Sequence, residues 1–183
     1  MKYLFKTEPY EHQREALRLS WKAKAFALFM EMGTGKSKVL LDNLAILFGQ
    51  GAVTAALIVA PKGVYQNWAA QEIPIHLPDA IRREVAVWSP SPRKAERMAL
   101  EQVFTSSPDT LKILIMNVEA FSTQKGSSFA QRFILAHRVL LAVDESTTIK
   151  NPKARRTKTL MKLAMNAPYR RILTGFPITQ SPL

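Results

Sequence analysis

The chain has 183 residues, 47% of them hydrophobic and 22% charged, the balance of one globular domain around a single core. It has no cysteine, which excludes disulfides and thiolate metal sites. No apolar run approaches the ~20 residues of a membrane span, and MKYLFKTEPYEHQ does not read as a signal peptide, so a cytoplasmic, membrane-free setting is expected.

Strand-like and helical patterns then alternate along the chain. Helices are expected over 11–22, 36–49, 65–73, 91–104, 128–137 and 155–166. Between them lie the apolar runs AFALFM (25–30), AALIVA (55–60), EVAVW (84–88), KILIMN (112–117), VLLAVD (139–144) and YRRILT (169–174). Several runs are apolar without alternation, as strands covered on both faces should be. The order implies one α/β domain: a doubly wound, mostly parallel sheet with helices on both faces. Proline and glycine fall mainly between the elements, and no internal repeat or low-complexity linker interrupts them.

The first strand runs directly into FMEMGTGKSKVLL (29–41). This stretch is one residue short of G-x-x-x-x-G-K-[ST], with Met30 where the first glycine belongs. Gly33 and Gly35 would let the backbone turn its N–H groups toward a phosphate at the helix N-terminus. Lys36 would reach the β- and γ-phosphates, and the Ser37 hydroxyl would bind magnesium. A plain glycine turn before a helix is the competing reading. Asp144 and Glu145, closing the strand LLAVDE, weigh against it, because both carboxylates emerge at the carboxyl edge where the loop also opens. Asp144 suits a water-mediated hold on magnesium, and Glu145 suits polarising the attacking water. Upstream, Gln13 has the amide to read an adenine edge, with Tyr10 or Phe5 able to stack on the ring.

Charge is uneven. Lys and Arg number 26 against 14 acids, a formal +12. After Glu145 there is no acid, while Lys150, Lys153, Arg155, Arg156, Lys158, Lys162, Arg170 and Arg171 add eight positive charges. Such a run is either a solvated helix face or a footprint for a polyanion, most often nucleic acid. Leu160, Leu163 and Ala164 form an apolar stripe on the same helix, with the basic residues largely away from it.

Together these segments resemble the first RecA-like lobe of a superfamily-two helicase or translocase, a P-loop NTPase, closest to the Swi/Snf-type ATPases and their phage relatives. EMGTGKS resembles that family's first motif, which also lacks the leading glycine. The resemblance implies that Gln13, Met32, Gly33, Thr34, Gly35, Lys36 and Ser37 bind ATP. LIVAPKGVYQNWAAQE (57–72) resembles the next motif, with Pro61, Asn67, Trp68 and Glu72 at the family spacing. IMNVEAF (115–121) is similar to a segment that touches the tracking strand. DESTTIKNPKARRTK (144–158) resembles the extended second motif, and LTGFP (173–177) the third, where Thr174 and Gly175 would couple the nucleotide site to the track. Lys62, Asn117, Lys150, Arg155, Arg156 and Lys158 are the residues expected to meet nucleic acid, with DNA the track the resemblance implies.

The chain departs from the family pattern at Thr147, where a coupling residue such as His is usual, and at Phe176, where the usual residue is Thr. The implied activity is nucleic-acid-dependent ATP hydrolysis with Mg2+, by residues 1–183 as one ATP-binding lobe. The family's second RecA-like lobe, which supplies an arginine finger, does not follow in this chain and is expected in cis or in trans. The alternative from another class is a non-catalytic module, derived from a helicase lobe, that binds nucleic acid or a partner. Against it stands the retention of Lys36, Asp144 and Glu145 together. A P-loop kinase is disfavoured by the APKGVYQNW and LTGFP segments and by the lack of a lid.

Overall fold

The computed structural model describes residues 3–145, 151 and 153–175. Six strands form its centre: β1 (Ala25–Phe29), β2 (Ala55–Ala60), β3 (Arg83–Val87), β4 (Leu111–Asn117), β5 (Val139–Asp144) and β6 (Tyr169–Thr174). They lie in the order β1-β6-β5-β2-β4-β3, and every neighbouring pair is parallel. The mostly parallel sheet expected from the sequence is thus fully parallel among the described strands.

The helices are α1 (Glu11–Ser20), α2 (Lys36–Gly49), α3 (Tyr65–Asn67), α4 (Ile73–His76), α5 (Lys94–Thr105), α6 (Gln124–Ala136) and α7 (Arg155–Ala164). They divide between two layers. All six residues of β2 are buried, Ala56, Ile58 and Ala60 with Leu17 of α1 and Leu40, Leu44 and Leu47 of α2. On the other face Ala55, Leu57 and Val59 join Leu100 of α5, Phe133 of α6 and Leu160 and Leu163 of α7. An unalternating apolar strand is what a sheet covered on both sides requires.

The expected elements match the observed ones closely, and the differences have local causes. The helix expected over 65–73 runs to His76 in three pieces: α3, a π-helical turn over Trp68–Glu72, and α4. Pro74 has no N–H for the carbonyl four residues back, and the helix widens just ahead of it, with the Ile73 N–H reaching the Trp68 carbonyl. The helix expected over 128–137 begins at Gln124, because the Thr123 side chain caps it by accepting from the Gly126 N–H at 3.1 Å. A 3-10 turn over Val118–Ser122, which the pattern did not foretell, packs against α7.

Two polar clusters lie inside the α1–α2 layer. On α2, Lys38 Nζ donates to Asp42 Oδ2 at 2.8 Å, with the two side chains 4% and 1% exposed. Tyr3 OH donates to Asp42 Oδ1, also at 2.8 Å, which ties the first described residues across the helix. Farther along, Arg171 of β6 is 1% exposed. It donates from Nε to Asn43 Oδ1 at 2.9 Å and from Nη2 to the Ser20 carbonyl at 2.8 Å. Burial lowers its pKa to about 10. Arg170 is half-buried and donates to the Ala164 carbonyl at 3.3 Å. The basic run is therefore smaller as a surface feature than its count suggests: Arg171 belongs to the interior. Among the described residues no helix is long and apolar enough to cross a membrane.

Candidate functional site

The strand order brings the motifs together. At the carboxyl edge of the sheet β1, β6, β5, β2 and β4 end side by side. They deliver, in that sequence, the loop around Gly33 and Gly35, then Thr174 and Gly175, then Asp144 and Glu145, then Lys62, then Asn117. Ligands of open α/β sheets gather at this edge. Segments more than a hundred residues apart meet here because the sheet is not in chain order.

Gly33 (φ 78°) and Gly35 (φ 86°) both adopt the left-handed backbone that glycine takes without strain. Gly35 is the N-cap of α2, so Lys36 opens the helix and Ser37 follows on its first turn. Lys36 is buried, and its ammonium donates to the carbonyls of Met30 and Glu31, both at 2.9 Å. The turn is braced further by Thr34 Oγ1, which donates to the Glu31 carbonyl at 2.7 Å. Met32, by contrast, is an exposed side chain. Gly175 lies against the loop: a Cβ there would sit 3.6 Å from the Met32 nitrogen and 3.9 Å from Lys36 Nζ. The Met30 N–H donates to the Thr174 carbonyl at 3.3 Å, so the first and third motifs are in direct contact.

Gln13 holds the loop from the other side. Its Nε2 donates to the Thr34 carbonyl at 2.9 Å, and its Oε1 accepts from the Tyr10 N–H at 3.0 Å. A Cβ on Gly35 would overlap that amide. The amide is thus fixed beside the glycine loop, and one of its two N–H bonds stays outside these contacts. Of the two aromatic candidates, Tyr10 is exposed, its ring stacked on His12 with centroids 5.9 Å apart. Phe5 instead packs edge-on against Tyr3 at 4.9 Å, with Lys38 5.2 Å from its ring centroid.

Asp144 is half-buried at the end of β5. Its Oδ2 accepts from the indole N–H of Trp68 at 3.0 Å. Burial raises the pKa of its carboxyl, and neighbouring Glu145 adds to that. The Trp68 N–H, the Glu145 backbone N–H and the Lys36 charge act in the opposite direction. Glu145 has φ 50°, the one non-glycine residue with a left-handed backbone among the described residues. Such outliers persist where surrounding structure over-determines them and cluster at functional sites.

The residues expected to meet nucleic acid are spread more widely. Lys62 is exposed just beyond β2. Asn117 is half-buried at the end of β4, and its Nδ2 donates to Glu119 Oε2 at 3.1 Å. On α7, Arg155 and Lys158 are exposed, while Arg156 is half-buried with its Nε unpaired among the described residues. The apolar stripe of that helix is directed inward at Leu160 and Leu163, as expected. Lys150, Thr147 and Phe176 lie outside the described residues. No group of three or more acidic or imidazole side chains that could cage a metal occurs among the described residues. Magnesium held mainly by nucleotide phosphates needs only one or two protein ligands, and Ser37 and Asp144 fit that pattern.

The chain as a whole has counterparts among known proteins. The SNF2-related domain matches residues 12–182. The chain belongs to the SNF2-related domain family. It is 29% identical over 176 residues to the SNF2 domain-containing protein ENL1 of Oryza sativa subsp. japonica, which covers 92% of this chain and 17% of that protein. It is 28% identical over 178 residues to Protein CHROMATIN REMODELING 24 of Arabidopsis thaliana, covering 92% and 16%. The chain thus spans about a sixth of the length of these curated relatives. Among solved structures, the Sulfolobus solfataricus SWI2/SNF2 ATPase core in complex with dsDNA superposes with a TM-score of 0.70 at 19% identity, over 97% of this chain and 34% of that one. The UvsW helicase from bacteriophage T4 matches with a TM-score of 0.65 at 12% identity, over 93% and 53%. Both likenesses show the fold, a RecA-like lobe. The phage side of the expected kinship is not borne out, since at that identity the T4 helicase shares only the fold.

Proposed function

We propose that residues 1–183 form the ATP-binding lobe of a nucleic-acid-dependent motor that works with a second RecA-like lobe, in cis or in trans. The observation that carries this reading is the convergence at one sheet edge of a left-handed glycine loop, a buried lysine and a half-buried Asp-Glu pair. In this reading the loop N–H groups from Gly33 to Ser37, with Met32 and Thr34 shaping the turn, take the ATP phosphates. Lys36 exchanges a loop carbonyl for phosphate oxygen. Ser37 and Asp144 would hold Mg2+, which would supply positive charge against the phosphates. Glu145 accepts a proton from the attacking water. Gln13 reads the base edge with its remaining N–H and steadies Thr34 while doing so. Thr174 and Gly175, in contact with the loop, report the state of the nucleotide to the rest of the lobe.

Nucleic acid, DNA in particular, would run past Lys62 and Asn117 and the first turn of α7, with Lys150 adding charge. The Sulfolobus core, similar in fold, was solved with dsDNA. Phosphate contacts of this kind are insensitive to sequence and sensitive to salt. Without an arginine finger from a second lobe, turnover by the isolated lobe is slow. Calorimetry tests the core of the proposal. Mg·ATP should bind the wild type and lose most of its affinity in Lys36→Ala, and equal affinities would remove the site assignment.

A further inference from the structure

Trp68 does more than fill space at the edge of the sheet. Its side chain is 2% exposed and packs into the α1–α2 layer beside Ile73 and Ala60. An indole has a single donor and no acceptor, and a buried donor of that kind needs a partner. Trp68 lies 76 positions from its partner along the chain, yet its N–H donates to Asp144 Oδ2. The path is set by the sheet: β2 lies beside β5 with Val59 opposite Val143, so the chain leaving β2 starts next to Asp144. A tight turn at Pro61–Val64 sends it back, and the π-helical turn that opens at Trp68 sets the indole. Widened turns of this sort recur at functional sites.

The chemistry of the donors matters as much as the geometry. Asp144 receives the Trp68 indole N–H and the Glu145 backbone N–H, both neutral. The nearby cation, Lys36, is directed instead to the carbonyls of Met30 and Glu31. A salt bridge would orient the carboxylate and cancel its charge together. A neutral N–H fixes the carboxylate's rotation and leaves the charge for a cation, while the other lone pairs remain open.

We propose that Trp68 is a positioning residue for Asp144: its indole N–H sets the rotation of the carboxylate that faces magnesium. The proposal rests on the reading of Asp144 as a magnesium ligand. Trp68→Phe keeps a buried aromatic ring and removes the N–H together with part of the indole's five-membered ring. ATP affinity is measured by calorimetry for the full chain and for the variant, each with excess magnesium and with EDTA. The wild type should bind ATP more tightly with magnesium. In Trp68→Phe the affinity in EDTA should be unchanged, while the gain from magnesium falls by about tenfold or more, the usual effect of removing an outer-sphere partner of a metal ligand. A full magnesium gain in Trp68→Phe would reduce the residue to packing and overturn the proposal alone. A wild type with no magnesium gain would overturn it together with the reading of Asp144.

Should Trp68→Phe fail to fold, the protein carrying Trp21→Phe and Trp88→Phe retains Trp68 as its single indole. Its emission should shift with Mg·ATP and not with ATP in EDTA, and the shift should vanish when Asp144→Asn is added. Emission indifferent to magnesium would overturn the assignment.

Discussion

Two aspartates withdrawn from water, Asp42 on α2 and Asp144 at the end of β5, show how one protein treats the same group in two ways. Burial raises the pKa of both carboxyls. Asp42 is fully matched: the Lys38 ammonium at 2.8 Å and the Tyr3 hydroxyl at 2.8 Å occupy its two oxygens. Asp144 has only neutral hydrogen-bond donors among the described residues, and the Lys36 ammonium, whose charge it feels, is hydrogen-bonded to loop carbonyls. Desolvation with a cation in place is architecture. Desolvation with only neutral donors at the carboxylate marks a candidate for binding a cation from outside.

The largest effect expected from this contrast is on stability. Asp42→Ala leaves the Lys38 charge buried without its partner and should cost about 3–5 kcal/mol in urea unfolding. Replacing the pair together, Lys38→Met with Asp42→Leu, should recover most of that loss. A cost under about 1 kcal/mol for the single change would mean that the pair is not the anchor its burial suggests.

At Asp144 the sign should reverse. Asp144→Asn should leave stability unchanged or raise it by up to about 1 kcal/mol, while magnesium-dependent ATP binding is lost. Acidity gives a second way to break the comparison. Because the folded pKa of Asp144 lies above the unfolded value, the folded state binds its proton first. Stability from this group is therefore gained as pH falls through the raised pKa and lost as pH rises through it. The melting-temperature advantage of Asp144→Asn at neutral pH should shrink on acidification. A gap that widens on acidification would show that the carboxylate is stabilised as an anion, by a partner that the fold supplies.

The smallest effect concerns the cations. Arg171 is an interior strut, whereas Arg155 and Lys158 are exposed and Arg156 is half-buried on the first turn of α7. Changing Arg155, Arg156 and Lys158 to Ala should flatten the salt dependence of DNA binding, by up to about one unit of log–log slope per lost contact. An unchanged slope in a variant that melts like the wild type would assign this turn to solvent or to a partner lobe.

Much of this architecture was legible in the sequence, because unalternating apolar runs separated by periodic helices admit few arrangements. The glycine turn ahead of α2 and the Asp-Glu pair at the end of β5 were legible as well, because each is carried by a short contiguous stretch. What the sequence hid were pairings that depend on strand order. Trp68 stood out by its spacing, but nothing in its neighbourhood names Asp144 as its partner until β2 is known to lie beside β5. Arg171 read as one charge among eight, because its partners Asn43 and Ser20 belong to helices at the other end of the chain. The Lys38–Asp42 pair did leave a signal, two opposite charges four apart within an apolar helix. The left-handed turn at Glu145 left none, since glutamate is not a residue that advertises such a backbone.

The placement of β1 has a consequence for how the protein comes into being. Among the described strands, β1 sits at the sheet's edge and pairs only with β6, Ala25 opposite Arg170, so its neighbour is translated 145 residues later. At about 5–20 residues per second, a ribosome needs roughly 7–30 s to cover that interval. Through that time the first strand, and the glycine loop it leads into, must wait without a sheet to join. The strands β2 to β5 can already pair among themselves. The first strand of the domain is thus among the last to pair, and a nascent chain halted before β6 would lack the Thr174 carbonyl that accepts from the Met30 N–H at the head of the glycine loop.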